Sequence, residues 1–175
     1  MKQLPHLLSE VEFGAFLAYS PRGCSAISRG SRTIRDAVKH DTPGFLKMAV
    51  GRLLEELPQT GLGKEALPCL SRVWPVAKSA FAARGERASV QVHFESMAME
   101  PSLIAPATIT VVDDFVTKGA TLLAAASLVK DAFPAATARV FAAVRTMGLV
   151  PDVEEIVAPC TGSIRREGLV VYRDP

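Results

Sequence analysis

The segment Val111-Val112-Asp113-Asp114-Phe115-Val116-Thr117-Lys118-Gly119-Ala120-Thr121 narrows the fold more than any other stretch of the chain. A β-branched run ends in two adjacent carboxylates and a hydroxyl-rich turn with one glycine, and an alanine- and leucine-rich segment of helical composition follows. Strand, loop and helix N-terminus therefore come in that order. Free backbone N–H groups at a helix start suit a phosphate, and an acidic pair just upstream suits hydroxyl groups or a metal ion. A sugar phosphate satisfies both ends. The segment is not the P-loop of the ATPases. No Gly-Lys-Ser or Gly-Lys-Thr follows a spaced glycine nearby, and the carboxylates precede the turn instead of lying on a later strand. The plainer alternative is an acidic turn between a buried strand and a helix.

Around this segment the chain alternates strands and helices. Ile109 to Val112 reads as a central strand, Ala120 to Phe133 as the helix after it, and Ala138 to Val144 as the next strand, beyond the Pro134 break. That is a β-α-β unit. Upstream, Phe13 to Tyr19 reads as a short strand ending at Pro21-Arg22-Gly23, and Ser31 as the N-cap of a helix from Arg32 to His40. Pro43 fits the first turn of a second helix through Glu56, with Phe45, Leu46, Val50, Leu53, Leu54 and Leu57 on one face. Leu70 to Val76 is apolar enough for a buried strand running into Ala77-Lys78-Ser79 and a basic loop with Arg84 and Arg87. From Ser89 to Met97, Val90, Val92 and Phe94 alternate with polar residues, which favours a half-buried strand and leaves a helix open. The last segment carries a Pro159-Cys160-Thr161-Gly162-Ser163 turn and a strand candidate at Leu169 to Tyr172.

The expected class is α/β, an open, mainly parallel sheet flanked by helices, whose ligands bind beyond the carboxyl ends of the strands. At 175 residues one domain is expected, with 1–68 as an accessory or hood region, 69–148 as the core and 149–175 as a C-terminal extension. A net charge of only +2 argues against a general nucleic-acid or membrane-surface binder. No apolar run approaches the roughly 20 residues of a spanning helix, and Met1 to His6 lacks a signal peptide's apolar stretch, so a cytoplasmic location is expected. Cys24, Cys69 and Cys160, odd in number and far apart, read as free thiols, and His6, His40 and His93 form no zinc pattern with them.

The acidic pair and its turn resemble the phosphoribosyl-pyrophosphate (PRPP) loop of the type I phosphoribosyltransferases. In that family a hydrophobic strand leads to two acidic residues, two apolar residues and a Thr-Thr-Gly-x-Thr-like turn. The resemblance implies that Asp113 and Asp114 face the ribose 2′- and 3′-hydroxyls, and that Thr117, Lys118, Gly119, Ala120 and Thr121 wrap the 5′-phosphate. Lys118 stands where a small hydroxylated residue is common and offers the phosphate a charge. Trp74-Pro75-Val76-Ala77-Lys78-Ser79 resembles the family's pyrophosphate loop, with Ala77 and Ser79 beside it and Lys78 as its cation. Arg84 and Arg87 resemble the mobile basic stretch of the competence-associated phosphoribosyltransferase-like proteins, although two solvated loop arginines explain them as well. Mg2+ is implied with PRPP, next to Asp113 and Asp114.

The resemblance thus implies transfer of a 5-phosphoribosyl group from PRPP to a nitrogenous base, with no protein nucleophile, in a chain that we also expect to be a homo-oligomer. A different class of reading keeps the fold and drops turnover: a PRPP- or nucleotide-binding regulator of a partner or RNA. The cluster Arg22, Arg29, Arg32, Arg35 and Lys39 suits such a partner, or is simply a solvated helix face and basic turn. Hydrolysis of a phosphorylated sugar would need a water-activating base that the sequence does not display.

Overall fold

The computed structural model describes residues 6–40, 55–61, 63–76, 88–100, 106–148, 150 and 152–175. Its main sheet contains β1 (Glu10–Tyr19), β4 (Thr108–Val116), β5 (Thr137–Thr146), β6 (Val157–Glu167) and β7 (Val170–Asp174), in the order β4-β5-β1-β6-β7. β4 runs parallel to β5 and β5 to β1, whereas β6 is antiparallel to both β1 and β7. Four strands thus share a direction and β6 opposes them, which makes a mixed, mostly parallel sheet. The expected β-α-β unit is β4, helix α3 (Ala120–Ala132) and β5.

Helix α3 has almost no polar face. Leu122, Leu123, Ala124, Ala125 and Ala126 are buried along it, which calls for cover on two sides. It lies on β4, β5 and β1, and a short helix α2 (Val90–Glu95) covers it. Phe13, Val140, Ala142, Ile164 and Val171 complete the core from the sheet. Ser127, buried in α3, donates to the Leu123 carbonyl (2.7 Å) and accepts from the Leu8 N–H (3.0 Å). Its hydroxyl fastens the chain just before β1. No helix among the described residues is long and apolar enough to cross a membrane.

Several expectations are corrected. The strand read at 13–19 begins at Glu10 and is the middle of the sheet, so the region read as accessory supplies its central strand, while β4 lies at an edge. Helix α1 spans Ala26–His40. Its cap is Ser25, whose Oγ accepts from the Ser28 N–H (3.0 Å), while Ser31 is buried inside the helix and donates to the Ser28 carbonyl (2.7 Å). The strand expected over 70–76 is only β2 (Leu70–Arg72), paired antiparallel with β3 (Met97–Met99) in a separate two-stranded sheet. Val73 and Trp74 beyond it are about half exposed, at 53% and 49%. Residues 90–95 form α2 instead of a strand. Ser89 caps it by accepting from the Val92 N–H (3.3 Å), and Val90 and His93, three apart, make its buried face. The turn expected at Pro159–Ser163 lies inside β6. Gly162 is there for closeness: a Cβ would collide with the Asp174 carbonyl of β7. Of the helix expected from Pro43 to Glu56, all but Glu55 and Glu56 lies outside the described residues; 55–59 are helical.

The sheet is strongly coiled. Four steps of about 4.8 Å would separate the edges of a flat five-stranded sheet by about 19 Å. Yet Arg173 on edge strand β7 donates to the carbonyl of Val116, the last residue of the opposite edge strand (3.2 Å), and to that of Thr146 at the end of β5 (2.8 Å). The ends of the two edges therefore meet where the parallel strands finish.

Candidate functional site

Asp113 and Asp114 lie within β4, not after it, because the ladder continues through Val116 opposite Arg145. Each carboxylate accepts the next N–H along the chain. The Asp114 N–H donates to Asp113 Oδ1 (2.9 Å), and the Phe115 N–H to Asp114 Oδ1 (2.7 Å). Asp113 pairs with Ala142 and, by strand alternation, shares a face with Val111, which packs on the core. Burial, then the hydrogen bond with Asp114 and its charge, push the Asp113 carboxyl up to about 7, against the opposing pull of Arg72. Burial thus disfavours the ionised form of Asp113 near neutral pH.

Arg72 is a residue that the sequence reading missed. Its guanidinium donates to Ser96 Oγ (2.7 Å) and meets His93 Nδ1 (3.3 Å). Ser96 in turn donates to the His93 carbonyl (2.8 Å), and both residues are buried. Burial, and then Arg72, hold the His93 imidazole below its ordinary value, so its neutral ring can accept from the guanidinium at Nδ1. No local pattern marks Arg72. Its partners lie 21 and 24 positions away and meet it only because β2 pairs with β3 behind α2.

The turn after β4 has the form that an anion uses. Thr117 and Lys118 are exposed, Gly119 is buried, and Ala120 and Thr121 are half-buried. Gly119 takes the N-cap position of α3 at φ 91°, in the left-handed region, with no side-chain cap. No hydrogen bond among the described residues uses the N–H groups of Thr117, Gly119, Ala120 or Thr121. An N-cap side chain would normally satisfy one of them. Ile164 fills the space in which a Cβ of residue 119 would sit.

One strand away, a cavity of about 350 Å³ opens at the ends of β1 and β5, among Ala18, Arg145, Met147, Glu154 and Glu155. Arg145 is the register partner of Val116, which adjoins the turn. The expected pyrophosphate residues Ala77, Lys78 and Ser79, together with Arg84 and Arg87, lie outside the described residues. In the basic cluster, Arg29 donates to the Cys24 carbonyl, Arg32 to that of Gly23 (2.6 Å), and Arg35 lies 5.3 Å over the Tyr19 ring while pairing with Asp36 (2.7 Å). Those arginines build the β1–α1 turn more than they present a free basic face. Cys24, Cys69 and Cys160 are free thiols. No family model, no curated protein and no solved structure matches this chain.

Proposed function

We propose that the chain transfers a 5-phosphoribosyl group from PRPP to a nitrogenous base and releases pyrophosphate, on a fold of the type I phosphoribosyltransferase kind. The observation that carries this reading is a helix start with no side-chain cap, Gly119 standing five residues beyond Asp114, whose amides have no partner among the described residues and which follows an interacting, partly buried acidic pair. The 5′-phosphate accepts from the N–H groups of Thr117 and of Gly119 to Thr121, with the α3 dipole behind them and the Lys118 ammonium beside them. Asp113 and Asp114 accept from the ribose hydroxyls.

The same carboxylates suit Mg2+: hard oxygen donors, interacting with one another, where a divalent cation would favour the ionised Asp113 that burial disfavours. When bound, that ion neutralises the diphosphate and so makes it a better leaving group. Arg72, whose charge lowers the Asp113 value, is proposed to act on the same charge from its place beside Ser96 and His93, and Lys78, Arg84 and Arg87 are proposed to add to it. The bond from the anomeric carbon to the pyrophosphate oxygen breaks with its electron pair on oxygen. A ring nitrogen of the base forms the new bond and gives its proton to solvent. Preorganised donors around the departing charge are the main catalytic device. We place the base in the cavity beside Arg145, next to the phosphate turn.

The test is pyrophosphate release from PRPP and Mg2+ across a panel of purines and pyrimidines. We expect turnover with at least one base and its loss when Asp113→Asn is combined with Asp114→Asn. Undiminished turnover in the double variant would contradict the ribose contacts. PRPP binding without turnover would transfer the argument to a regulator on the same fold. The bonded state of Arg29 and Arg32 gives that second reading no support of its own.

A further inference from the structure

The phosphate turn does not stand on β4 alone. Two side chains of the C-terminal hairpin support it, Ile164 beneath the turn and Arg173 on the last strand residue before it, and they are register partners across β6 and β7. Ile164, with no exposed surface, lies under Gly119 in the space that a Cβ would need. Arg173 reaches across the coiled sheet to the Val116 carbonyl (3.2 Å) and the Thr146 carbonyl (2.8 Å), its guanidinium 5.6 Å from the centre of the Phe13 ring. It is half-buried, and no carboxylate among the described residues pairs with it.

The Val116 carbonyl belongs to the same planar unit as the Thr117 N–H. A trans peptide points its oxygen and its hydrogen in opposite directions. Holding the oxygen toward Arg173 therefore aims the Thr117 N–H away from the hairpin, and that N–H has no hydrogen-bond partner among the described residues. A cation on the carbonyl side also polarises the peptide and strengthens its N–H as a donor.

We propose that Arg173 is a positioning residue for anion binding: its fork on the Val116 and Thr146 carbonyls, with Ile164 beneath Gly119, sets the Thr117–Thr121 turn and orients its first amide toward a phosphate. The C-terminal hairpin is then part of the binding site without touching the ligand. This inference rests on the reading of residues 117–121 as the phosphate turn, and its test separates the two.

The experiment uses the full chain and inorganic phosphate, followed by amide NMR of residues 117–121, with thermal unfolding recorded alongside. Arg173→Gln removes the charge and the fork, and Arg173→Lys keeps the charge but reaches one carbonyl at a time. Arg165→Gln, on the outward side of the same hairpin, is the control. Loss of a charge-assisted hydrogen bond predicts phosphate affinity weakened by at least about tenfold in Arg173→Gln. Arg173→Lys should lie between it and the wild type, with displaced Thr117 and Gly119 amide signals in both, and Arg165→Gln should match the wild type. Wild-type phosphate affinity and unmoved Thr117 and Gly119 signals in either Arg173 variant that folds would overturn the proposal, even if unfolding occurs at a lower temperature. Should the wild type bind neither phosphate nor PRPP, the functional reading fails. The role of Arg173 in anion binding falls with it, whereas anion binding by the wild type with an unaffected Arg173→Gln overturns the Arg173 role alone.

Discussion

At the residue scale, two positions carry most of the argument. Gly119 meets two demands that no other residue satisfies together: a backbone in the left-handed region and an absent side chain above Ile164. Gly119→Ala should cost about 2–4 kcal/mol, combining left-handed strain with overpacking, and a lowered urea midpoint would record it. Asp113 brings pH into the fold. Its folded-state value, about 7, lies above the ordinary 3.8, so between these values the native state binds more protons than the unfolded one. Stability from this group is thus complete below the unfolded value and is lost as pH rises toward 7 and past it. Asp113→Asn should be nearly neutral near pH 4 and stabilising at pH 8, by roughly 2 kcal/mol once partial exposure is allowed for. Denaturation curves at the two pH values decide the sign. Mg2+–PRPP binding should strengthen over the same range, since the ion needs the deprotonated form.

At the element scale, α1 is latched to the chain beyond β5. The Ser25 N–H donates to Asp152 (2.7 Å), and Ser28 Oγ accepts from the Val153 N–H (3.0 Å) with no exposed surface of its own. Ser28→Ala leaves that buried amide without an acceptor and should destabilise the fold by about 1–3 kcal/mol in chemical denaturation. The elements also show what a sequence can disclose. The unit from Thr108 to Thr146 was legible because its signals are local: a β-branched run, a glycine-bearing turn, an alanine-rich helix and a second apolar run. The turn at 117–121, as the step from strand to helix, was legible for the same reason. What stayed hidden depends on distant chain. Val90, Val92 and Phe94 alternate like a strand, yet Ser89 offers a cap and the core around α3 takes up Val90, His93 and part of Phe94 while Val92 stays exposed. Gly162 reads as a turn residue until β7 lies against it, and Arg72 is an unremarkable surface arginine until Ser96 and His93 fold behind it.

At the scale of the whole molecule, the fold is organised about β1. It joins the parallel half of the sheet to the antiparallel half, and Phe13 at its centre is 1% exposed. Its amides can exchange only when both halves separate, so native-state hydrogen exchange should find the slowest protons in β1 and faster ones in β4 and β7. Central placement of the first strand was not visible in advance, since its pairing partners lie more than a hundred positions downstream. The edge position of β4 has one more consequence. No described strand pairs with its outer side, and an unpaired strand rich in valine invites a foreign strand to dock. Carboxylates on such a border, Asp113 on its core face among them, resist that docking. Replacing both aspartates with asparagine should therefore leave a protein whose apparent mass by light scattering grows with concentration at neutral pH, where that of the wild type stays constant.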